Sequence, residues 1–133
     1  MDFTWTPNKN NTFINYKEIT KQFCNNYYNY YDNTFNKLEN LYNSNSYFNF
    51  LNEEIIGFKN LYNRIKQYNI KKFTHHSINI TAQPIENGDI FILVTGTISI
   101  NDSLFHNRFS ETIILSINNN NFYINNTIFT LIN

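Results

Sequence analysis

The sequence predicts an α+β fold, with helices gathered in its first half and an antiparallel sheet in its second. Three observations carry that reading. Apolar residues recur at helical spacing from Tyr16 to Ile65, and the spacing changes to strict alternation from Ser77 onward. Between two of the alternating runs stands Asn87-Gly88, the dipeptide best suited to a tight hairpin because both central positions need positive φ. Helices segregated onto one side of an antiparallel sheet form a layered α+β domain. A chain of 133 residues suits one such domain.

Taken in order, residues 1–14 show no periodicity and read as a loose N-terminal arm, leaving residues 15–133 as the domain. Asn15 is a candidate cap with Glu18 three positions on, and Tyr16, Ile19, Phe23, Tyr27, Tyr30 and Tyr31 follow as an aromatic stripe. A shorter second helix holds Phe35, Leu38 and Leu41 and ends near Asn43-Ser44-Asn45. Tyr47 to Leu51 and Glu54 to Ile56 read as two short strands around Asn52-Glu53. Gly57 opens a third helix with Phe58, Leu61, Tyr62 and Ile65 on one face, stopping near Tyr68-Asn69. A four-strand meander then runs through 77–83, 89–100, 109–117 and 122–131. No internal repeat is visible.

Composition narrows the function classes. Ten basic residues balance ten acidic ones at a pI near 6.8, which supplies no electrostatic footprint for nucleic acid and no polybasic membrane patch. No apolar run approaches the roughly 18 residues of a membrane span, and the N-terminus lacks a secretory pattern. Cys24 is the sole cysteine, which excludes an internal disulfide and suits a reducing compartment. The 28 asparagines are interleaved with Tyr, Phe and Ile rather than collected in a tract, so they read as compositional bias at surface positions. On the same grounds the sequons at Asn10, Asn79, Asn101 and Asn125 read as accidents.

Catalytic constellations are sparse. His75 and His76 are adjacent on a strand, hence on opposite faces, so they do not share a metal. Glu111 lies among apolar neighbours and is expected to turn to the surface. With three glycines there is no phosphate-binding loop. The expectation is a protein that is not an enzyme, with no cofactor and no metal.

Once ordered, these elements resemble a known family. The run Phe23 to Asp32 is similar to the first-helix signature of the nuclear transport factor 2 family. The likeness continues through Leu38, Leu41-Tyr42, Gly57, His75 to Ile78, Gln83-Pro84, Gly96, Phe109 to Thr112 and Tyr123 to Phe129, covering roughly residues 16–132. The resemblance implies a cone: three N-terminal helices packed on a strongly curved antiparallel sheet, with an apolar cavity at the wide end. It also implies a homodimer, or a heterodimer with a related domain, formed through the outer sheet face. Phe91 and Leu93 alternate with Ile90, Ile92 and Val94, so this face needs a cover; His75, Phe91 and Leu93 are assigned to it.

The resemblance further implies protein partners: phenylalanine-glycine nucleoporin repeats and Ran-GDP, met in cytoplasm, nucleus and the nuclear pore. The cavity rim then comprises Phe50, Leu51, Tyr68, Ile70, Phe73, Ile128 and Phe129. Tyr16 stands where the family holds nucleoporin phenylalanines with an aromatic residue, while Trp5 has no assigned role. Departures weaken the Ran reading. Leu51 replaces an acid after the rim aromatic, though Glu53 and Glu54 lie near it. The acidic loop after the long strand has become Asn101, Asp102 and Ser103, with only Asp102 charged. The alternative implied is the small partner subunit of a messenger-RNA export receptor, which Arg108 suits. A cavity enzyme related to ketosteroid isomerase is the third reading, and it requires a buried Asp or Glu beside a Tyr hydroxyl.

Overall fold

The computed structural model describes residues 9–118 and 121–132. A helix α1 (Lys9–Asn33) is followed by a 3₁₀ helix (Phe35–Leu41), strands β1 (Tyr42–Phe50) and β2 (Glu53–Ile56), and helix α2 (Phe58–Gln67). Four longer strands complete the chain: β3 (Phe73–Pro84), β4 (Ile90–Ile100), β5 (Asn107–Asn118) and β6 (Asn121–Ile132). They form one six-stranded sheet in the order β2-β1-β6-β5-β4-β3, curved around α1. The three helices expected from the sequence are present, the second as 3₁₀.

Several boundaries move. Residues 9–14 are helical, not loose arm, but the backbone breaks at Asn15 (φ −111°, ψ 17°), the residue expected to start the helix. Residues 1–8, with Trp5, lie outside the described residues. β1 begins at Tyr42, where a helix end was expected, and it joins the sheet parallel to β6. The meander therefore becomes a mixed sheet, because β1 supplies a fifth long partner that the alternation pattern of the second half does not announce. The β3–β4 hairpin turns as its dipeptide requires, with Asn87 at φ 69° and Gly88 at φ 81°.

The core lies between α1 and the concave sheet face. Ile19, Phe23, Tyr27 and Tyr31 from α1 meet Ile90, Ile92, Val94, Phe109 and Ile113, all buried. An irregularity in β3 sets what faces inward along its first half. The register slips between His76 and Asn79, and Ser77 sits at φ 50°. The slip needs a glycine opposite it: a Cβ on Gly96 would stand 2.8 Å from the His76 carbonyl oxygen. Across such a bulge the in–out alternation changes phase.

Candidate partner-binding site

That phase change decides the place of His75. Counted back from Ile80 and Ala82, strict alternation puts His75 on the outer face. After the bulge correction it points inward, paired in register with buried Ile98. Its side chain is 3% exposed, and Nδ1 lies 2.6 Å from Asp32 Oδ1 while the His75 backbone N–H donates to Asp32 Oδ2 at 3.0 Å. His75 thus leaves the expected dimer face and instead bolts the end of α1 to β3. Its ring packs 4.7 Å from Tyr28, 4.8 Å from Tyr31 and 5.1 Å from Phe109.

Glu111 also overturns its expectation. It is 2% exposed, facing inward between Val94 and Phe129 in the ladder. Tyr28 Oη donates to it at 2.7 Å and Tyr27 Oη at 3.1 Å. Tyr42 lies 2.8 Å from Tyr27, and since Tyr27 gives its only hydroxyl proton to Glu111, Tyr42 is the donor of that pair. Burial pushes the Glu111 carboxyl above its ordinary range, against the opposing pull of the Tyr28 hydrogen bond, the nearby His75 and Tyr27. Burial, followed by the charge of Glu111, raises the four hydroxyls of Tyr27, Tyr28, Tyr31 and Tyr42 and pushes the Cys24 thiol up to about 12. The signal was available in the sequence: Glu111 shares parity with Phe109 and Ile113, both buried.

The seven expected rim residues divide four ways. Phe50, Phe73 and Phe129 close over one another, with Phe50 stacked on Phe129 at 5.3 Å and edge-on to Phe73 at 6.4 Å. Leu51 and Ile70 are half-buried, whereas Tyr68 is exposed and its hydroxyl donates to Glu53. Arg64 also bonds Glu53, so this acid is engaged within the chain. Ile128 points the other way from Phe129, onto the outer face, at 49% exposure.

In the loop after β4, Asn101 acts as a clamp. Its Oδ1 accepts from the backbone N–H groups of Lys71 (2.6 Å) and Lys72 (3.1 Å), and its Nδ2 donates to the Asn69 carbonyl at 2.9 Å. Asp102 pairs with Lys72 at 3.3 Å, and the Ser103 hydroxyl accepts from the Phe105 N–H at 3.1 Å. Tyr16 is half-buried on α1 against the core.

On the outer face, Phe91 (41% exposed) and Leu93 (40%) stand as expected. In register, Leu93 neighbours Thr112, then Ile128, then Asn49, while Tyr47 and Ile114 flank Asn126. The result is an apolar patch spread over four strands, on a sheet whose other face is filled.

Residues 19–131 match the family model described as the nuclear transport factor 2 domain. A relative named nuclear transport factor 2, from Candida albicans, is 30% identical over 89% of this chain and 96% of its own length. The chain belongs to the nuclear transport factor 2 family. Its backbone superposes on the nuclear transport factor 2 of Cryptosporidium parvum with a TM-score of 0.78 at 26% identity, covering 87% of this chain and 94% of that one. The fold alone is shared more widely. The Mtr2–Mex67 M domain complex of C. albicans matches at TM-score 0.67 and 15% identity, covering 86% and 93%. A putative scytalone dehydratase from Novosphingobium aromaticivorans matches at 0.73 and 9%, covering 93% and 89%. No helix among the described residues is long and apolar enough to cross a membrane.

Proposed function

We propose that this protein is a non-enzymatic nucleocytoplasmic transport factor that works as a homodimer and binds phenylalanine-glycine nucleoporin repeats as it passes between cytoplasm and nucleus. The observation behind it is the outer patch of Phe91, Leu93, Ile128 and Tyr47, each 40–49% exposed on a sheet already packed on its inner side. Large apolar side chains gathered this way on one sheet face, with Thr112 and Asn126 between them, support its reading as an interaction face. Tyr16, an amphipathic aromatic residue near the start of α1, is the candidate platform for a repeat phenylalanine.

Ran-GDP enters the proposal as a weakened partner. Leu51, Asn101 and Ser103 stand where the resemblance calls for acids, and Glu53 is held by Arg64 and Tyr68. Each basic group of a partner left buried and unpaired there costs roughly 2–5 kcal/mol. The cavity-enzyme reading has its required pair, Glu111 beside tyrosine hydroxyls. Yet at 2% exposure the carboxyl is enclosed by its own donors, with no face left for a substrate. We assign it a structural role.

Sedimentation of the full chain together with pull-down on a phenylalanine-glycine repeat peptide tests the reading. A dimer that retains the peptide supports it. A monomer that pairs only with a related domain favours the export-subunit alternative, and a dimer deaf to the repeats ends the transport claim.

A further inference from the structure

Beside the closed aromatic cluster, a cavity of about 390 Å³ opens between the end of α1, the 3₁₀ helix, α2 and the start of β3. Its wall is aromatic: Phe35 stacks on Tyr62 with centroids 6.1 Å apart and meets Phe73 at 5.7 Å. Tyr31 stands edge-on to Phe35 and to Phe73, at 5.1 Å each. Its rim is cationic, supplied by Lys66, Lys71 and Lys72. Lys66 is exposed, and its Nζ sits 4.3 Å from the Tyr62 ring centroid, which places its charge beside the wall. Asn101 fixes the backbone from which Lys71 and Lys72 project. Asp32 is the single acid in the lining and is engaged by His75, while Asp102 takes Lys72. Lys66 and Lys71 therefore have no acidic partner among the described residues, in a chain whose net charge is zero.

We propose that this cavity docks an acidic segment of a partner protein that carries an aromatic side chain. The ring enters against the half-buried Phe35 and Tyr62, with buried Phe73 behind Phe35, and flanking carboxylates meet Lys66 and Lys71. The wall alone would accept an aromatic side chain from many partners. The lysines choose among them, attracting an acidic flank and repelling a basic one. The volume lies at the low end of the roughly 300–1,000 Å³ typical of compact ligand sites, which suits one large side chain and its neighbours. This goes beyond the transport reading, since it depends neither on the outer sheet face nor on nucleoporin repeats.

Fluorescence anisotropy of the full chain with a labelled peptide, one phenylalanine flanked by glutamates, tests the proposal. It should bind at least about tenfold tighter than the same peptide with alanine for phenylalanine or lysine for glutamate, and weaken as salt rises. The double substitution Lys66→Glu, Lys71→Glu, at two exposed side chains, should lose that preference with its circular dichroism unchanged. Equal affinity for any control peptide, an unaltered preference in the folded double variant, or an oligonucleotide held as tightly by the same lysines would overturn it. In the unaltered chain, peptide-induced NMR shifts should fall on the rings of Phe35 and Tyr62; shifts confined elsewhere refute the site.

Discussion

Glu111 and Leu93 sit one step apart in the β4–β5 ladder, on opposite faces of one sheet, and each is on the side its chemistry disfavours. The carboxyl is 2% exposed inside the cone, and the leucine is 40% exposed outside it. Inside, the cost of burying an acid is met within the chain, by hydroxyls from Tyr27 and Tyr28 and a raised carboxyl that sheds its charge more readily. Outside, Phe91, Leu93 and Ile128 stay 40–49% exposed, with no cover among the described residues. A buried polar group with every partner at hand speaks of internal architecture; exposed apolar area without a cover speaks of another molecule. The contrast therefore gives Glu111 and its tyrosines a structural role and supports the proposal that the convex face is a recognition surface.

Four substitutions strain that contrast in decreasing order of effect. Phe109 is fully buried against His75 and Phe129, so Phe109→Ala should remove about 3–5 kcal/mol of stability in urea denaturation. Tyr28→Phe deletes the shorter donor to Glu111 and should cost about 1–3 kcal/mol by the same measurement. A loss near zero would mean that the carboxyl is not enclosed.

Glu111→Gln should change the pH profile. A carboxyl whose folded pKa is raised binds its proton more tightly folded than unfolded, so it weighs on stability above its unfolded value, ordinarily 4.5, and increasingly until pH passes the folded value. Relative to Glu111→Gln, the parent chain should thus lose stability as pH climbs from about 4.5 toward neutrality, at fixed protein concentration. A flat difference, or one of opposite sign, contradicts the raised carboxyl. Leu93→Glu closes the series. It should shift the fold's intrinsic stability by no more than about 0.5 kcal/mol while converting a dimer to monomers in sedimentation. Unchanged mass at equal concentration would remove the convex face from the recognition account.

Much of the site was hidden by a single irregularity. His75 reads as outward by alternation from Ile80, and only the slip between His76 and Asn79 turns it toward Asp32. Glu111 was misread for another reason. Its parity with Phe109 and Ile113 was legible, but an acid among apolar residues is ordinarily given to solvent, and its tyrosine donors lie more than 80 residues away in α1. Within the expected rim, Ile128 departs for a third reason: Ile128 and Phe129 are neighbours, and a regular strand points neighbours to opposite faces. By contrast Phe91 and Leu93 came out where the pattern put them, because their strand runs regularly there.

From the sequence alone came the α+β class, the hairpin at Asn87-Gly88, the three helices and the family, since each rests on local spacing or on an ordered string of residues. Tertiary structure alone decided that β1 runs parallel to β6, that Asp32 meets His75, that Phe50 and Phe129 close the expected rim, and that Lys66, Lys71 and Lys72 gather around an aromatic hollow. These are contacts between distant segments. Their geometry follows from register and sheet curvature, and neither quantity is written in the periodicity of any one stretch of chain.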